Sequence, residues 1–471
     1  MKILLCLLLA AGLGVEEEEE VWDPALTDET LCSFFAWAMV SMGDLDGDGA
    51  GDFLVSSPRE CPGWLVGGWD QVRGEGKFAG QPLPDFGVVR AISGADGRVL
   101  YGLSEPGRFG ESLACLGDLD EDGKNDFAVG TSRDLPGYFV FSGADGSLLF
   151  SRAGEKGDPG GNCSLAAVGD VSGDGLRDLL IGWPNNTFLH GVERPPSHVE
   201  IVSGADGSPL LRIDSSRFEA DHAGPGACVI GGRVWGLDDL DGDGKDEFAF
   251  TRQVGLEYPY RVSVVVANGD DGSILYEIEP ERYSGGDGPA MAVIGDRDAD
   301  GLPDWLEGSS ASDFNIYEMD DLEPDGLPEE WWQPQGEVVA HSSASGEPLF
   351  SLGPEKRSPR FGHALAGGAD FDADGVPDVI VTDYGGEVTF KGFCYVYSGA
   401  DGSLVRKHEG KATWDYGASL IVVDDLDGDD CADYVVGCMR DYPGQNGNGF
   451  AMVYSGRTGE MKYFLGGRNR P

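Results

Sequence analysis

The chain has 471 residues, 75 of them glycine, with 10% aromatic residues and a formal net charge of −50 at pH 7. At that length one hydrophobic core stops growing, so several domains or a repeat architecture is required. A surface this acidic repels phosphate backbones and anionic headgroups, which sets aside nucleic acid and membrane surfaces as partners.

Residues 1–14 open with Lys2, continue through a short apolar run and end in small residues, the pattern of a secretory signal peptide. The run is too short to span a bilayer, and no later segment is long and apolar enough to do so, so no membrane insertion is expected once the signal is removed. Residues 15–35 form an acidic lead-in that begins with Glu16 to Glu20 and could add a closing strand. Of the nine cysteines, Cys6 lies in the signal. Export permits disulfides, and Cys32 with Cys61 and Cys431 with Cys438 are the first pairs to test. Cys115, Cys163 and Cys228 fall on strands entering acidic loops and read as buried thiols.

From residue 36 onward one unit recurs: strand, acidic loop, strand, connection, strand, tight turn, strand. The first acidic loop holds Asp44, Asp46, Asp48 and Asp52, and its unit carries a long Gly-, Pro- and Trp-containing connection from Pro58 to about Phe86 before the turn Ser93 to Gly97. In the second, Asp118, Asp120, Asp122 and Asp126 precede the turn Ser142 to Gly146. The third has Asp170, Ser172, Asp174 and Asp178 with the turn Ser203 to Gly207, and the fourth Asp239, Asp241, Asp243 and Glu247 with the variant Asn268 to Gly272. Asp296, Asp298, Asp300 and Asp304 make the fifth, whose turn is read at Ser345-Gly346-Glu347. The sixth has Asp370, Asp372, Asp374 and Asp378 with Ser398 to Gly402, and the last Asp425, Asp427, Asp429 and Asp433 with Ser455-Gly456.

Four short strands cannot bury both faces alone, and such units stack radially into propellers of about 4 to 8 blades. The expected fold is therefore all-β: a single seven-bladed β-propeller of four-stranded antiparallel blades over 36–471. The blades are placed at about 36–106, 107–155, 156–216, 217–282, 283–353, 354–409 and 410–471.

Oxygen ligands at positions 1, 3, 5 and 9 of a tight loop, with glycine at position 6 for the sharp turn, suit one Ca²⁺, and the position-7 carbonyl adds another donor. Up to seven Ca²⁺ are expected. Crowded without a cation, the same carboxylates would repel one another. An EF-hand is excluded because position 12 is apolar (Val55, Val129) and strands flank the loops. Ser172 in the third loop and Asp430 at position 6 of the seventh mark the two weakest sites, although Asp tolerates a left-handed backbone. Asp321, Glu323, Asp325 and Glu329 echo the motif, but no strand pair brackets them; an insertion is favoured over an eighth site.

Catalytic signatures are missing from the sequence. The six histidines show no HExxH spacing, and no GxSxG elbow occurs. Asp221-His222 puts an acid beside a histidine, and adjacency in sequence is not catalytic geometry.

These residues resemble the FG-GAP repeat of integrin alpha-chain propellers, a family named for Phe-Gly and Gly-Ala-Pro signatures around a DxDxDGxxD calcium loop. Phe109-Gly110, Phe361-Gly362 and Tyr416-Gly417 stand at the first signature; Gly182-Trp183-Pro184 comes nearest to the second, and Ser57-Pro58 is a remnant of it. The resemblance covers essentially the whole of 36–471 and implies a seven-bladed ring, calcium on one face, and adhesion or extracellular recognition. It departs from the family in showing neither leg domains after the propeller nor an inserted ligand-binding domain, which favours a stand-alone secreted or cell-surface propeller over a receptor.

In an antiparallel blade the acidic loop and the tight turn share one face. The long second connections, at Pro58 to Phe86 and about Gly308 to Gly336, then lie on the other and carry Trp64, Trp69, Trp331 and Trp332, residue types favoured at recognition surfaces. The expected function is binding of an extracellular protein or glycan on that face, without catalysis. The alternatives are a calcium-dependent polysaccharide lyase or hydrolase acting through paired carboxylates, and a structural module of a surface assembly.

Overall fold

A computed structural model describes residues 35–58, 86–132, 137–153, 163–184, 196–221, 228–254, 261–278, 289–309, 336–354, 358, 360–384, 392–410, 414–441 and 449–466. The signal segment, nearly all of the acidic lead-in, Cys32 and Cys61, the four loop tryptophans, His222 and the 321–329 motif lie outside these residues.

Twenty-eight strands form seven four-stranded antiparallel sheets arranged as a propeller ring. Blade 1 is β1 (Met39–Gly43), β2 (Asp52–Ser57), β3 (Phe86–Ile92) and β4 (Val99–Pro106). Blade 2 is β5 (Ser112–Gly117), β6 (Asp126–Thr131), β7 (Gly137–Phe141) and β8 (Leu148–Ala153). Blade 3 is β9 (Ser164–Val168), β10 (Asp178–Trp183), β11 (His198–Val202) and β12 (Pro209–Asp214). Blade 4 is β13 (Cys228–Gly236), β14 (Phe248–Val254), β15 (Arg261–Ala267) and β16 (Ile274–Ile278). Blade 5 is β17 (Ala290–Gly295), β18 (Asp304–Ser309), β19 (Glu337–His341) and β20 (Pro348–Leu352). Blade 6 is β21 (Phe361–Ala369), β22 (Asp378–Asp383), β23 (Phe393–Tyr397) and β24 (Leu404–Glu409). Blade 7 is β25 (Trp414–Val423), β26 (Asp433–Asp441), β27 (Phe450–Tyr454) and β28 (Met461–Leu465). Among the described residues the one helical element is a 3-10 segment, Ser215–Asp221, between blades 3 and 4.

Burial follows position in the blade. The second strand is covered on both faces, as β2, β6, β10 and β22 show, and its sequences are accordingly runs of apolar and small residues without alternation. The outermost strand is only partly covered; β8 alternates between half-buried and exposed residues. Cores lie between blades rather than within them. Leu54, Val89 and Ala91 of blade 1 pack with Phe109, Phe127, Val129 and Phe141 of blade 2, and each such side chain withdrawn from water contributes about 1.5–3 kcal/mol.

The ring closes by the same means. Phe53, Val55 and Ile92 of blade 1 share a core with Val423, Val435 and Val453 of blade 7, and Phe35 is buried in it. Phe35 forms a parallel bridge with Gly449, and the Ser419 hydroxyl donates to the Ala36 carbonyl oxygen at 2.6 Å. The end of the acidic lead-in is thus the closing contact, made by one bridge, while all four strands of blade 7 come from one continuous stretch of chain.

Three expectations are corrected. Cys431 and Cys438 do not bridge: both are buried, the Cys431 thiol faces the Asp370 carbonyl oxygen at 3.4 Å, and Cys438 sits within β26 opposite Phe450. Cys115 is half-buried rather than buried, whereas Cys163 and Cys228 are buried as expected. The fifth turn runs from Ser342 to Gly346, because the Ser342 amide bonds the Glu347 carbonyl oxygen and the Gly346 amide bonds that of Ser342; Ser343 there takes the place that glycine holds in the other turns.

Candidate metal centre

The second loop shows how the site is built. β5 delivers Asp118 and β6 begins at Asp126, with six side-chain-to-backbone bonds folding the chain between them, one of them from the Asp120 amide to Asp126 at 3.3 Å. The Asp118 carboxylate accepts from the Asp122 amide at 3.0 Å and the Gly123 amide at 2.8 Å. Asp120 accepts from the Asp122 amide at 3.2 Å and Asp122 from the Lys124 amide at 2.9 Å. Leu119 donates its amide to Asp126 at 2.7 Å. Such aspartate-to-amide bonds are local and are why Asp recurs in turns. They also turn one carboxylate oxygen after another toward a common point.

Left-handed backbone makes the turn possible at two positions, not one. Position 6 has positive φ in every loop, at Gly49, Gly123, Gly175, Gly244, Gly301, Gly375 and Asp430 (φ 63°). Position 4 does too, at Gly47, Glu121, Gly173, Gly242, Ala299, Ala373 and Gly428. The second requirement was missed in the sequence; its trace is glycine at position 4 of four loops.

Carboxylate oxygens of the first, third and fifth positions converge. In loops 1, 2, 4, 5 and 6 (Asp44, Asp46 and Asp48; Asp118, Asp120 and Asp122; Asp239, Asp241 and Asp243; Asp296, Asp298 and Asp300; Asp370, Asp372 and Asp374) they lie within 4.8 Å of one another. In loop 3, Asp170 gathers the Ser172 hydroxyl and the amides of Gly173, Asp174 and Gly175. In loop 7, Asp425 gathers the amides of Asp427, Gly428, Asp429 and Asp430. Three carboxylates at that separation form an all-oxygen donor set that fits a hard divalent cation.

The ninth acid is different: Asp52, Asp126, Asp178, Glu247, Asp304, Asp378 and Asp433 are all fully buried. In six loops one of its oxygens accepts from an amide of its own loop and the other from the turn of the same blade. The turn amides are those of Gly94, Gly143, Gly204, Ser343, Gly399 and Gly456, at 2.7–3.1 Å. Loop and turn therefore share one face, and the ninth carboxylate buckles them together. Burial raises all seven above their ordinary values against the lowering by these amides, Asp126 to about 6 and Glu247 to about 7. At the first position, burial raises Asp44, Asp170 and Asp425, but their amide donors outweigh it and hold each carboxyl below the usual range.

Loops are also wired to their neighbours. The position-2 side chain of one blade lies under the turn of the next: Leu45 beside Gly143, Leu119 beside Gly204, Arg297 beside Gly399, Phe371 beside Gly456, and Leu426 beside Gly94 across the closure. Lys124 reaches back to the Asp44 carbonyl oxygen at 2.6 Å. In loop 7 a lysine enters the site itself, with Lys462 Nζ 3.1 Å from Asp427 and 3.2 Å from Asp433.

Seven four-stranded blades, six of them with the acidic loop buckled to its turn by the ninth acid, form a repeat propeller like that of integrin alpha chains. Sequence comparison agrees. The chain is 30% identical over 219 residues to integrin alpha-5 of Xenopus laevis, covering 44% of this chain and 19% of that one. It is 31% identical over 169 residues to integrin alpha-PS5 of Drosophila melanogaster, with 33% and 15% covered, and 31% identical over 175 residues to human integrin alpha-IIb, again with 33% and 15% covered. The chain spans less than a fifth of the length of these relatives. No family model matches. No helix among the described residues is long and apolar enough to cross a membrane.

Proposed function

We propose that this protein is a calcium-stabilised propeller that acts as an extracellular recognition or adhesion module, secreted or at the cell surface. Its acidic loops take Ca²⁺ on one face, and the opposite face binds a protein or glycan. The observation that carries the reading is the convergence of three carboxylates in loop after loop within a chain similar to integrin alpha chains. Ca²⁺ is the ion proposed because the donors are all oxygen, carboxylate-rich and set in a loop that can adapt to six to eight ligands. Its bonds would hold each loop against its turn, which makes the cation a staple of the ring rather than a reactive centre.

Recognition is assigned to the far face because calcium loops and turns fill the near one. The long connections after β2 and β18 start from the far face, and their tryptophans suit a binding surface. Calorimetric unfolding with Ca²⁺ and with a chelator tests the first half: a ligand specific for the folded state must raise its melting temperature, and an unmoved melt refutes it. A protein and glycan array tests the second, with residues 59–85 or 311–335 deleted. Retention of every detected binding by both deletions refutes the assignment to that face.

A further inference from the structure

The seven loops are not equivalent, and the fourth differs at a single buried atom. In the other six, both oxygens of the ninth carboxylate are bonded by backbone amides, one from the loop and one from the turn. Loop 4 has Glu247 instead of aspartate. Glu247 Oε2 keeps the loop bond, accepting from the Leu240 amide at 2.6 Å, but the longer side chain makes no bond to the turn, and its fully buried Oε1 has no hydrogen-bond partner. It lies in the field of Asp239, Asp241 and Asp243, the three carboxylates that converge on one another in this loop.

The turn of the same blade compounds the difference. Asn268 stands where serine stands in the other turns, and its amide group donates to Asp241 Oδ2 at 3.3 Å and Asp243 Oδ2 at 3.1 Å. Serine hydroxyls at the equivalent place reach only the fifth-position acid, at 3.3–3.5 Å.

We propose that loop 4 is the primary cation site of the ring, the first to load and the last to empty, with Glu247 Oε1 as the ligand that sets its rank. This rests on the calcium reading above and deepens it. A buried anionic oxygen without a donor is a penalty that a cation removes on binding, whereas in the other loops the matching oxygen is already satisfied. The bonds from Asn268 hold two of the remaining carboxylates in place beforehand, so less ordering is left for the binding step. The expected advantage over the other loops is about tenfold to a hundredfold in dissociation constant. At the other end of the scale stands loop 7, where the Lys462 ammonium already occupies part of the donor set.

The test is Ca²⁺ titration of chelator-stripped full chain by calorimetry, for the parent, Glu247→Asp, Glu247→Gln and, as a control in loop 3, Asp178→Asn. Glu247→Asp gives loop 4 the side chain of the others and should merge its step with the weaker group while leaving the total number of ions unchanged. Glu247→Gln should weaken the tightest step by at least tenfold and serves if the aspartate variant does not fold. Asp178→Asn should leave that step in place. A tightest step that survives in both Glu247 variants, or that disappears in Asp178→Asn instead, overturns the assignment. A parent chain that takes up no Ca²⁺ overturns it as well, and does so by removing the reading beneath it rather than the ranking alone.

Discussion

The hydroxyl of Tyr463 donates to the Gly94 carbonyl oxygen at 2.7 Å, joining the last strand of the chain to the first turn. Tyr101 makes the same bond to Gly143 at 2.8 Å between blades 1 and 2. The closure is thus held by a standard joint. Replacing either tyrosine with phenylalanine should cost about 1 kcal/mol, and the two losses should be similar. Chemical denaturation of the two variants checks this, and a loss several times larger at Tyr463 would show the closure to be the weak seam.

Titration offers a second prediction. Burial raises Glu247 from 4.5 to about 7 and Asp126 from 3.8 to about 6. An acid whose folded-state value is raised contributes stability that is complete below the unfolded value and lost as pH climbs through the folded one. Burial, and secondarily Arg406, lowers His408 from 6.5 to about 4, so its contribution has the opposite sign and vanishes on acidification. Above pH 6.5 only the last part of the His408 change remains, and Glu247 dominates. In chelator the protein should therefore melt on the order of a few degrees lower at pH 8 than at pH 6.5, and Glu247→Gln should flatten the difference. Saturating Ca²⁺ should reverse the trend, because the metal needs deprotonated ligands.

Two glycines separate strain from collision. A Cβ on Gly123 would meet nothing within 4 Å, but its φ is 88°, so Gly123→Ala should cost about 1–2 kcal/mol. A Cβ on Gly143 would overlap the Asn125 carbonyl oxygen and crowd Leu45 at 3.1 Å. Gly143→Ala must move the turn whose amide bonds Asp126, and should destabilise clearly more. Equal losses in denaturant unfolding would refute this.

In blade 5 a polar pair occupies core positions. Glu307 stands where Val55, Val129, Ile181, Phe250, Val381 and Val436 stand in the other blades, and His341 where Ile92, Phe141, Val202, Ala267, Tyr397 and Tyr454 stand. His341 Nε2 lies 3.5 Å from Glu307 Oε2, and its ring stacks on Trp305 at 4.6 Å. Replacing a buried pair with apolar residues is neutral or stabilising, by about 1–4 kcal/mol, while stranding one partner costs about 3–5 kcal/mol. Glu307→Val with His341→Phe should accordingly hold or raise the melting temperature, and His341→Phe alone should lower it sharply.

Much of the architecture was legible because the acidic loops carry fixed internal spacing: the metal geometry and the turn geometry demand the same residues. The blade boundaries were harder to read where the demand is met by backbone. At the fifth turn, Ser343 supplies the amide that glycine supplies elsewhere, so the Ser-Gly signal pointed three residues late. Phe35-Ala36 fills the place of the Phe-Gly signature in blade 1, with Ala36 at φ 60°. It stands nine residues before Asp44, the offset that separates Phe109 from Asp118, Phe361 from Asp370 and Tyr416 from Asp425. Counting back would have placed it in the ring; alanine hid it, since that conformation ordinarily selects glycine. Nor could spacing reveal the double use of the ninth acid, because its second partner lies in a turn 17 to 42 residues away.

Phe35 and Gly466, the outermost described residues of the ring, are neighbours: a Cβ on Gly466 would sit 3.1 Å from the Phe35 ring. Which sheet comes first along the polypeptide is thus an accident of genetics more than of architecture. A permuted gene that fuses those two points through a short linker, and opens instead between any other pair of adjacent sheets, should encode the same circle.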